Sequence, residues 1–306
     1  MRALALTSLA LLSLAFQAQA AQDNFGAGSQ AAPWLKLSNN ARSTAMGSAG
    51  VAVADDVNAS SLNPAGLAQL KGQEVAFMHH AYIMDSAIEH LAYGLSPLQG
   101  LGLAVSVDYL NFGVVDKYVI DSASNQLKAA GSFSPTGYHV DLGVGYAFGS
   151  LSTGLNAKML GQTFESSGSS AFAADLGVLW KNNAFSLGAA LQNLGSQLDG
   201  SNLPMGVRAG AAYKLGLGAG NDSLTAAADA DVPSADSAAT SFGGGLEYAG
   251  QDLYALRAGY KVAGNGGAGG FTVGAGIQYN IVHLDYAFSS VGVLGNSNQI
   301  SALLKF

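Results

Sequence analysis

From about Gln73 to Phe306 the chain alternates between apolar residues and small or polar ones. Successive side chains of a β-strand point to opposite faces, so each such run predicts a strand with one apolar face. In Thr136–Phe148, one face carries Tyr138, Val140, Leu142, Val144, Tyr146 and Phe148; the other carries Gly137, His139, Asp141, Gly143, Gly145 and Ala147. Residues 171–181 divide in the same way, with Phe172, Leu176, Val178 and Trp180 opposed to Asp175, Gly177 and Lys181. The pattern returns in residues 270–280 and again in the terminal residues 299–306.

The placement of charge decides the fold class. Asp141, Asp175, Arg208 and Arg257, with Asp108, Asp229, Glu247 and Asp285, share a face with Gly, Ser and Asn. The opposite face is aliphatic, with aromatic residues near strand ends. A soluble sandwich would bury its apolar faces and show water about a quarter charged residues; this chain has 11%. Apolar outward and polar inward is the pattern of a transmembrane antiparallel β-barrel, and closure is needed because backbone groups in hydrocarbon must all be paired. The spacing of turn residues predicts about 14 spanning strands over residues 73–306. Short connections (97–100, 149–150, 182–183, 250–251, 280) alternate with longer ones (114–135, 165–170, 195–203, 232–238, 263–269, 291–298). Short turns belong on the periplasmic side and longer loops outside.

Residues 1–20 read as a secretory signal peptide. Arg2 is followed by the apolar stretch 3–16 and then by Ala18-Gln19-Ala20, small residues at the cleavage positions. The mature chain is expected to start near Ala21, in the outer membrane of a Gram-negative bacterium. The absence of Cys excludes a disulfide scaffold and thiolate metal sites. With 13 Lys and Arg against 20 Asp and Glu, no nucleic-acid footprint is present.

Residues 21–72 lack the strand pattern and form an N-terminal segment rich in Gly, Ala and Ser. Such a segment can fold into the lumen as a plug, since about eight strands already enclose a space that side chains fill and a wider ring needs more. Asp55-Asp56 lacks the array of an EF-hand and is expected to pair with Arg42 or with lumenal Lys and Arg. Pro64, preceded by Asn63, is expected to hold a rigid turn. The run Trp34-Leu35-Lys36, Ala41-Arg42, Ala45-Met46-Gly47, Ala54-Asp55-Asp56 and Asn63-Pro64-Ala65-Gly66-Leu67 resembles the N-terminal signature of the FadL superfamily. That resemblance implies a plug, or hatch, within a fourteen-stranded barrel, with the Asn-Pro-Ala element in the plug. The Trp-Leu-Lys and Ala-Arg…Met-Gly spacings look closer to the PorV/PorQ branch. No long helical insertion stands out in the outer loops.

No catalytic constellation, metal site or cofactor site emerges. No Gly-x-Ser-x-Gly elbow is present. His79 and His80 are adjacent and so face opposite ways, leaving His90 as a cross-strand partner for one of them. The Gly-rich stretch 264–270 opens no helix and is no phosphate cradle. The expected function is therefore non-enzymatic. By resemblance it is an outer-membrane component of protein secretion or cargo hand-over of the PorV/PorQ type. The alternative is passive transport of hydrophobic small molecules such as long-chain fatty acids, in which Met46, Val51, Val53 and Leu67 would line a pocket. Expected partners are outer-membrane lipid, barrel-assembly machinery reading the C-terminal strand and Phe306, and either secretion-system proteins or a hydrophobic ligand.

Overall fold

The computed structural model describes residues 30–122, 124–218, 221–234, 240–262 and 269–306. The expected signal peptide and most of the glycine-rich stretch 264–270 lie outside the described residues. Strands β1 (Gln73–Ala81), β2 (Ala87–Leu98) and β3 (Leu101–Asn111) precede a separate pair, β4 (Val115–Asp121) and β5 (Gln126–Phe133). The wall continues with β6 (Thr136–Phe148), β7 (Leu151–Phe164), β8 (Ser167–Lys181), β9 (Phe185–Gly195) and β10 (Gly206–Gly216). It is completed by β11 (Ser223–Pro233), β12 (Ser241–Gly250), β13 (Tyr254–Val262), β14 (Gly270–Tyr279), β15 (Val282–Ser290) and β16 (Asn296–Lys305).

All but β4 and β5 join into one closed antiparallel barrel of 14 strands. β16 meets β1 with Lys305 opposite Glu74 and Ala302 opposite Phe77. At this seam the Phe306 and Gln73 backbones exchange hydrogen bonds of 2.9 and 2.8 Å. Alternation appears directly in burial. Asp141 and Asp175 are fully buried, whereas their neighbours Leu142 and Leu176 are exposed on the outer wall. Val178 and Val273 also lie outside. His79 faces outward, 2.6 Å from Glu89 on the next strand, while His80 faces inward.

Two expected loops turn out to be strand. The stretch 114–135 contains the β4–β5 hairpin, a two-stranded sheet outside the barrel order. Its run of Val115, Tyr118, Val119 and Ile120 has strand composition, and Asn125 turns it at φ 55°. Phe133 packs edge-on against Phe164 of β7, with ring centroids 4.8 Å apart. In the stretch 165–170 only Glu165 and Ser166 form the turn, with Glu165 at φ 54°, and residues 167–170 belong to β8. The register of β8 with β9 shifts between Ala174 and Leu176. There Asn193 adopts φ 58°, and its backbone N–H donates to the Asp175 carboxylate at 2.7 Å. A side chain thus fills the hydrogen-bonding place that the shifted ladder leaves open.

Residues 31–72 hold short helical turns: a 3-10 turn (Pro33–Lys36), α1 (Ala41–Ala45), α2 (Ala59–Leu62) and a 3-10 turn (Pro64–Gln69). Asn40 caps α1, its Oδ1 accepting from the Arg42 N–H at 2.8 Å. Asn63 caps the last turn by accepting from the Ala65 N–H at 3.2 Å, and Pro64 opens it. The segment packs against the inward parity of strands all round the ring. Asn156 of β7 donates to the Ser60 carbonyl at 3.1 Å, and Gln192 of β9 to that of Ser61 at 2.9 Å. Asp229 of β11 accepts from Gly50 and Val51 at 2.7 and 2.9 Å. Thr272 of β14 donates to Ala45 and accepts from Gly47, both at 2.9 Å. Glu74 of β1 accepts from Val57 at 2.8 Å.

Candidate functional site

The barrel interior has two chemically different ends. At the short-turn end lies a cavity of about 480 Å³ whose wall includes Arg42, Asp55, Glu247, Arg257, Asp285 and Lys305. A chain of ion pairs crosses it. Arg42 grips Glu247 through two bonds, Nη2 to Oε1 at 2.7 Å and Nε to Oε2 at 2.8 Å, and donates to Asp55 at 3.0 Å. Glu247 also accepts from Arg257 Nε at 2.7 Å, and Arg257 donates to Asp285 at 2.5 Å. A bidentate guanidinium–carboxylate pair fixes direction as well as charge. The Glu247 carboxylate, opposed by burial and aided by Asp55, holds the Arg42 guanidinium well above its usual range. Burial alone would raise the Asp55 carboxyl, but Arg42 and Lys181 outweigh it and hold it below the usual value. At Asp56 the pull of Lys305 and Arg42 is too weak to offset the rest. Burial, then the charge of Asp55, pushes its carboxyl up.

At the long-loop end an apolar cluster lies within the ring. Met78, Ile88, Leu110, Leu160, Ala171 and Leu203 surround Trp34. All but Leu203, which lies between β9 and β10, are strand residues of the inward parity that elsewhere carries charge. Beside them runs a buried polar row. His90 Nδ1 lies 3.0 Å from Asp108, His139 Nε2 lies 3.3 Å from the same carboxylate, and His139 Nδ1 lies 3.1 Å from Asp141. Lys158 bonds Asp175 at 2.8 Å, within a fully buried pocket of strand side chains. The Trp34 indole stacks on His139 at 5.5 Å. Among the described residues, no group of three or more His, Cys, Asp or Glu could hold a metal ion.

The residues singled out in sequence are thus dispersed. Arg42 and Arg257 meet through Glu247, and Asp55 joins them through Arg42. Asp141 and Asp175 belong to the row at the other end. Arg208 lies 3.2 Å from Asp229 and donates to the Ser48 carbonyl. Asp56 accepts from the Asn58 N–H at 2.8 Å. Met46 and Gly47 lie against Gly245 and Gly259, Gly66 against Ala54, and Ala65 against Gly177. Met46, Val51 and Leu67 are fully buried against strand glycines. They fill the space beside those glycines. Sequence parity had placed Glu247 and Asp285 on the inner face. Their role as partners of Arg42 and Arg257 needed the register, with Glu247 opposite Arg257.

A family model described as "Uncharacterised protein family (UPF0164)" matches residues 9–301. The chain belongs to this family. No curated protein matches it in sequence. Among solved structures, the Ralstonia pickettii toluene transporter TbuX is similar at 13% identity and a TM-score of 0.61, over 89% of this chain and 99% of that one. The Pseudomonas putida toluene transporter TodX is similar at 13% and 0.63, over 85% of this chain and 95% of that one. The CymD monoaromatic hydrocarbon channel gives 11% and 0.59, over 86% and 96%. At such identities the similarity is one of fold, a closed barrel like that of FadL-type outer-membrane channels.

Proposed function

We propose that this protein is a passive outer-membrane channel for hydrophobic small molecules, with residues 31–72 as its plug. The observation that carries this reading is the apolar cluster around Trp34. A lumen that served only ions or polar solutes would have no use for Met78, Ile88, Leu110 and Leu160 on its inner face. Pockets for small ligands pair an apolar lining with a few placed polar groups, and the His90–Asp108–His139 row stands beside this lining. The fold it shares with toluene transporters and a monoaromatic hydrocarbon channel agrees with this reading. On this reading residues 1–20 direct export and the aromatic-edged outer wall meets lipid. Phe306 on the closing strand is then offered to barrel-assembly machinery.

Toluene uptake in a strain lacking other hydrocarbon channels tests the proposal. Expression of the barrel should raise uptake, and Leu160→Gln should lower it severalfold with barrel assembly intact. Cargo hand-over of the PorV/PorQ type draws only on the N-terminal signature. A deletion strain that loses a secreted protein population while hydrocarbon uptake stays unchanged would replace the channel reading with that one.

A further inference from the structure

We infer that the apolar end of the lumen contains a hydrogen-bonding subsite, built by His80, His90 and Gln299, that selects aromatic solutes bearing a hydroxyl group over bare hydrocarbons. The inference rests on the channel reading and names a substrate class within it.

The three side chains lie on adjacent strands β16, β1 and β2, all on the inward parity. Gln299 is the cross-strand partner of His80, His80 stands opposite Ile88, and His90 stands opposite Met78. The two imidazoles therefore interleave with two members of the apolar cluster. His80 and His90 are each 4% exposed, and Gln299 is 1% exposed. Among the described residues, both ring nitrogens of His80, Nε2 of His90 and Oε1 of Gln299 have no hydrogen-bond partner. Their positions are nevertheless held. His90 Nδ1 donates to the Asp108 carboxylate at 3.0 Å. Gln299 Nε2 donates to the Ser38 carbonyl at 3.0 Å. His80 packs edge-on against Tyr82, with ring centroids 5.3 Å apart.

Buried polar atoms in folded proteins are almost all paired. Four leftover atoms on one inner face thus define a demand that a polar group must meet. A neutral imidazole brings one donor and one acceptor, and an amide oxygen accepts. A hydroxyl both donates and accepts, so a single group can satisfy His80 and Gln299 together. A methyl group can do neither, and a carboxylate would enter an apolar site as an unpaired anion. The body of the solute is set by the same neighbourhood. The Trp34 indole lies nearly parallel to His139, at 21° and 5.5 Å, so the row that ends in His90 already takes a flat ring by stacking. Phenols combine such a ring with such a hydroxyl.

Toluene and p-cresol, which differ by that hydroxyl, are the probes. Their uptake is compared in cells lacking other hydrocarbon channels. Their binding to the purified barrel is read from quenching of Trp34 emission in a Trp180→Phe background. The wild type should bind p-cresol about tenfold more tightly than toluene, the scale of one added hydrogen bond. His80→Leu should abolish that preference while toluene uptake and binding stay unchanged, and His80→Gln should keep part of it. Gln299→Leu gives the same ratio as a second readout should His80→Leu fail to assemble. An unaltered p-cresol preference in these variants, with toluene uptake intact, would overturn the subsite and leave the channel standing. Exclusion of both solutes from the wild type would overturn both.

Discussion

Asp55 and Asp56 are neighbours in the chain and burial pushes both carboxyls up, yet Arg42 and Lys181 bring Asp55 below its usual value while Asp56 stays above it. Asp55 has Arg42 at 3.0 Å; Asp56 accepts from the Asn58 N–H and feels Lys305 and Arg42 more weakly than the burial and the Asp55 charge that raise it. The consequences for stability have opposite signs. A lowered carboxyl contributes stability above its unfolded value of about 4, lost as pH falls through the folded value. A raised carboxyl contributes only below that unfolded value, and the contribution is lost as pH rises through its folded one. Asp56→Asn, which retains an oxygen for Asn58, should therefore raise stability at neutral pH and change little at pH 4. Asp55→Asn should lower stability at neutral pH, but modestly, because the Asp55 side chain is 38% exposed and water screens the pair. The larger loss belongs to Glu247, which is 5% exposed and faces two guanidiniums. Glu247→Leu should cost about 3–5 kcal/mol, the scale for stripping a buried charge of its partner. Urea unfolding followed by fluorescence at pH 4 and pH 7.5 checks all three. At this scale the sequence was half legible. Alternation placed Glu247, Asp285 and Arg257 on one face, and Asp55-Asp56 was expected to pair with Arg42 or with lumenal Lys and Arg, of which Asp55 takes Arg42. Which charge meets which depends on cross-strand register, and residue spacing along one strand carries no record of that.

Strand parity is the element-scale property that the sequence shows best, and the glycines show its limits. Val178 is 46% exposed on the outer wall, so Val178→Arg should cost about 2–4 kcal/mol if that wall meets the lipid midplane. Its neighbour Gly177 faces the other way, where a Cβ would collide with Asn63 Oδ1. In sequence, Gly177 was simply a small residue on a polar face. In the structure it is cut to the shape of the N-terminal segment. The same holds for Gly259, where a side chain would strike the Gly47 backbone, and for Gly188 against Val51. Close approach of two backbones is what removes the side chain there. Gly259→Val should therefore leave the strands assembled but dislodge the segment, exposing the Arg42–Ser43 bond to trypsin. Gly216→Ala, which meets nothing within 4 Å, should leave the digestion pattern unchanged. The β4–β5 hairpin escaped the sequence reading for a related reason. Its alternation is too weak to stand apart from loop, because its two sides are mostly exposed.

At the scale of the whole molecule, a closed ring of 14 strands encloses more space than its inward side chains can fill. The inward face makes that shortage worse, since many of its positions are glycine. Such a wall has a reason only if something else occupies the interior. Hydrogen bonds from β1, β7, β9, β11 and β14 to one short segment supply that occupant from every side. The proposed plug is thus tied down mostly by strand side chains bonding to its backbone, with the Arg42–Glu247 pair fixing one end. Long-range attachments of this kind are independent of the hydrogen bonds that close the barrel at Gln73 and Phe306. The ring should therefore survive loss of the segment. Deletion of residues 41–67 should give a heat-modifiable, assembled barrel whose single-channel conductance in planar bilayers far exceeds that of the wild type. Gly259→Val should reach part of that conductance through displacement alone. Equal conductance in the deletion and the wild type would mean that the segment does not block the ion path, and the plug would have to be abandoned.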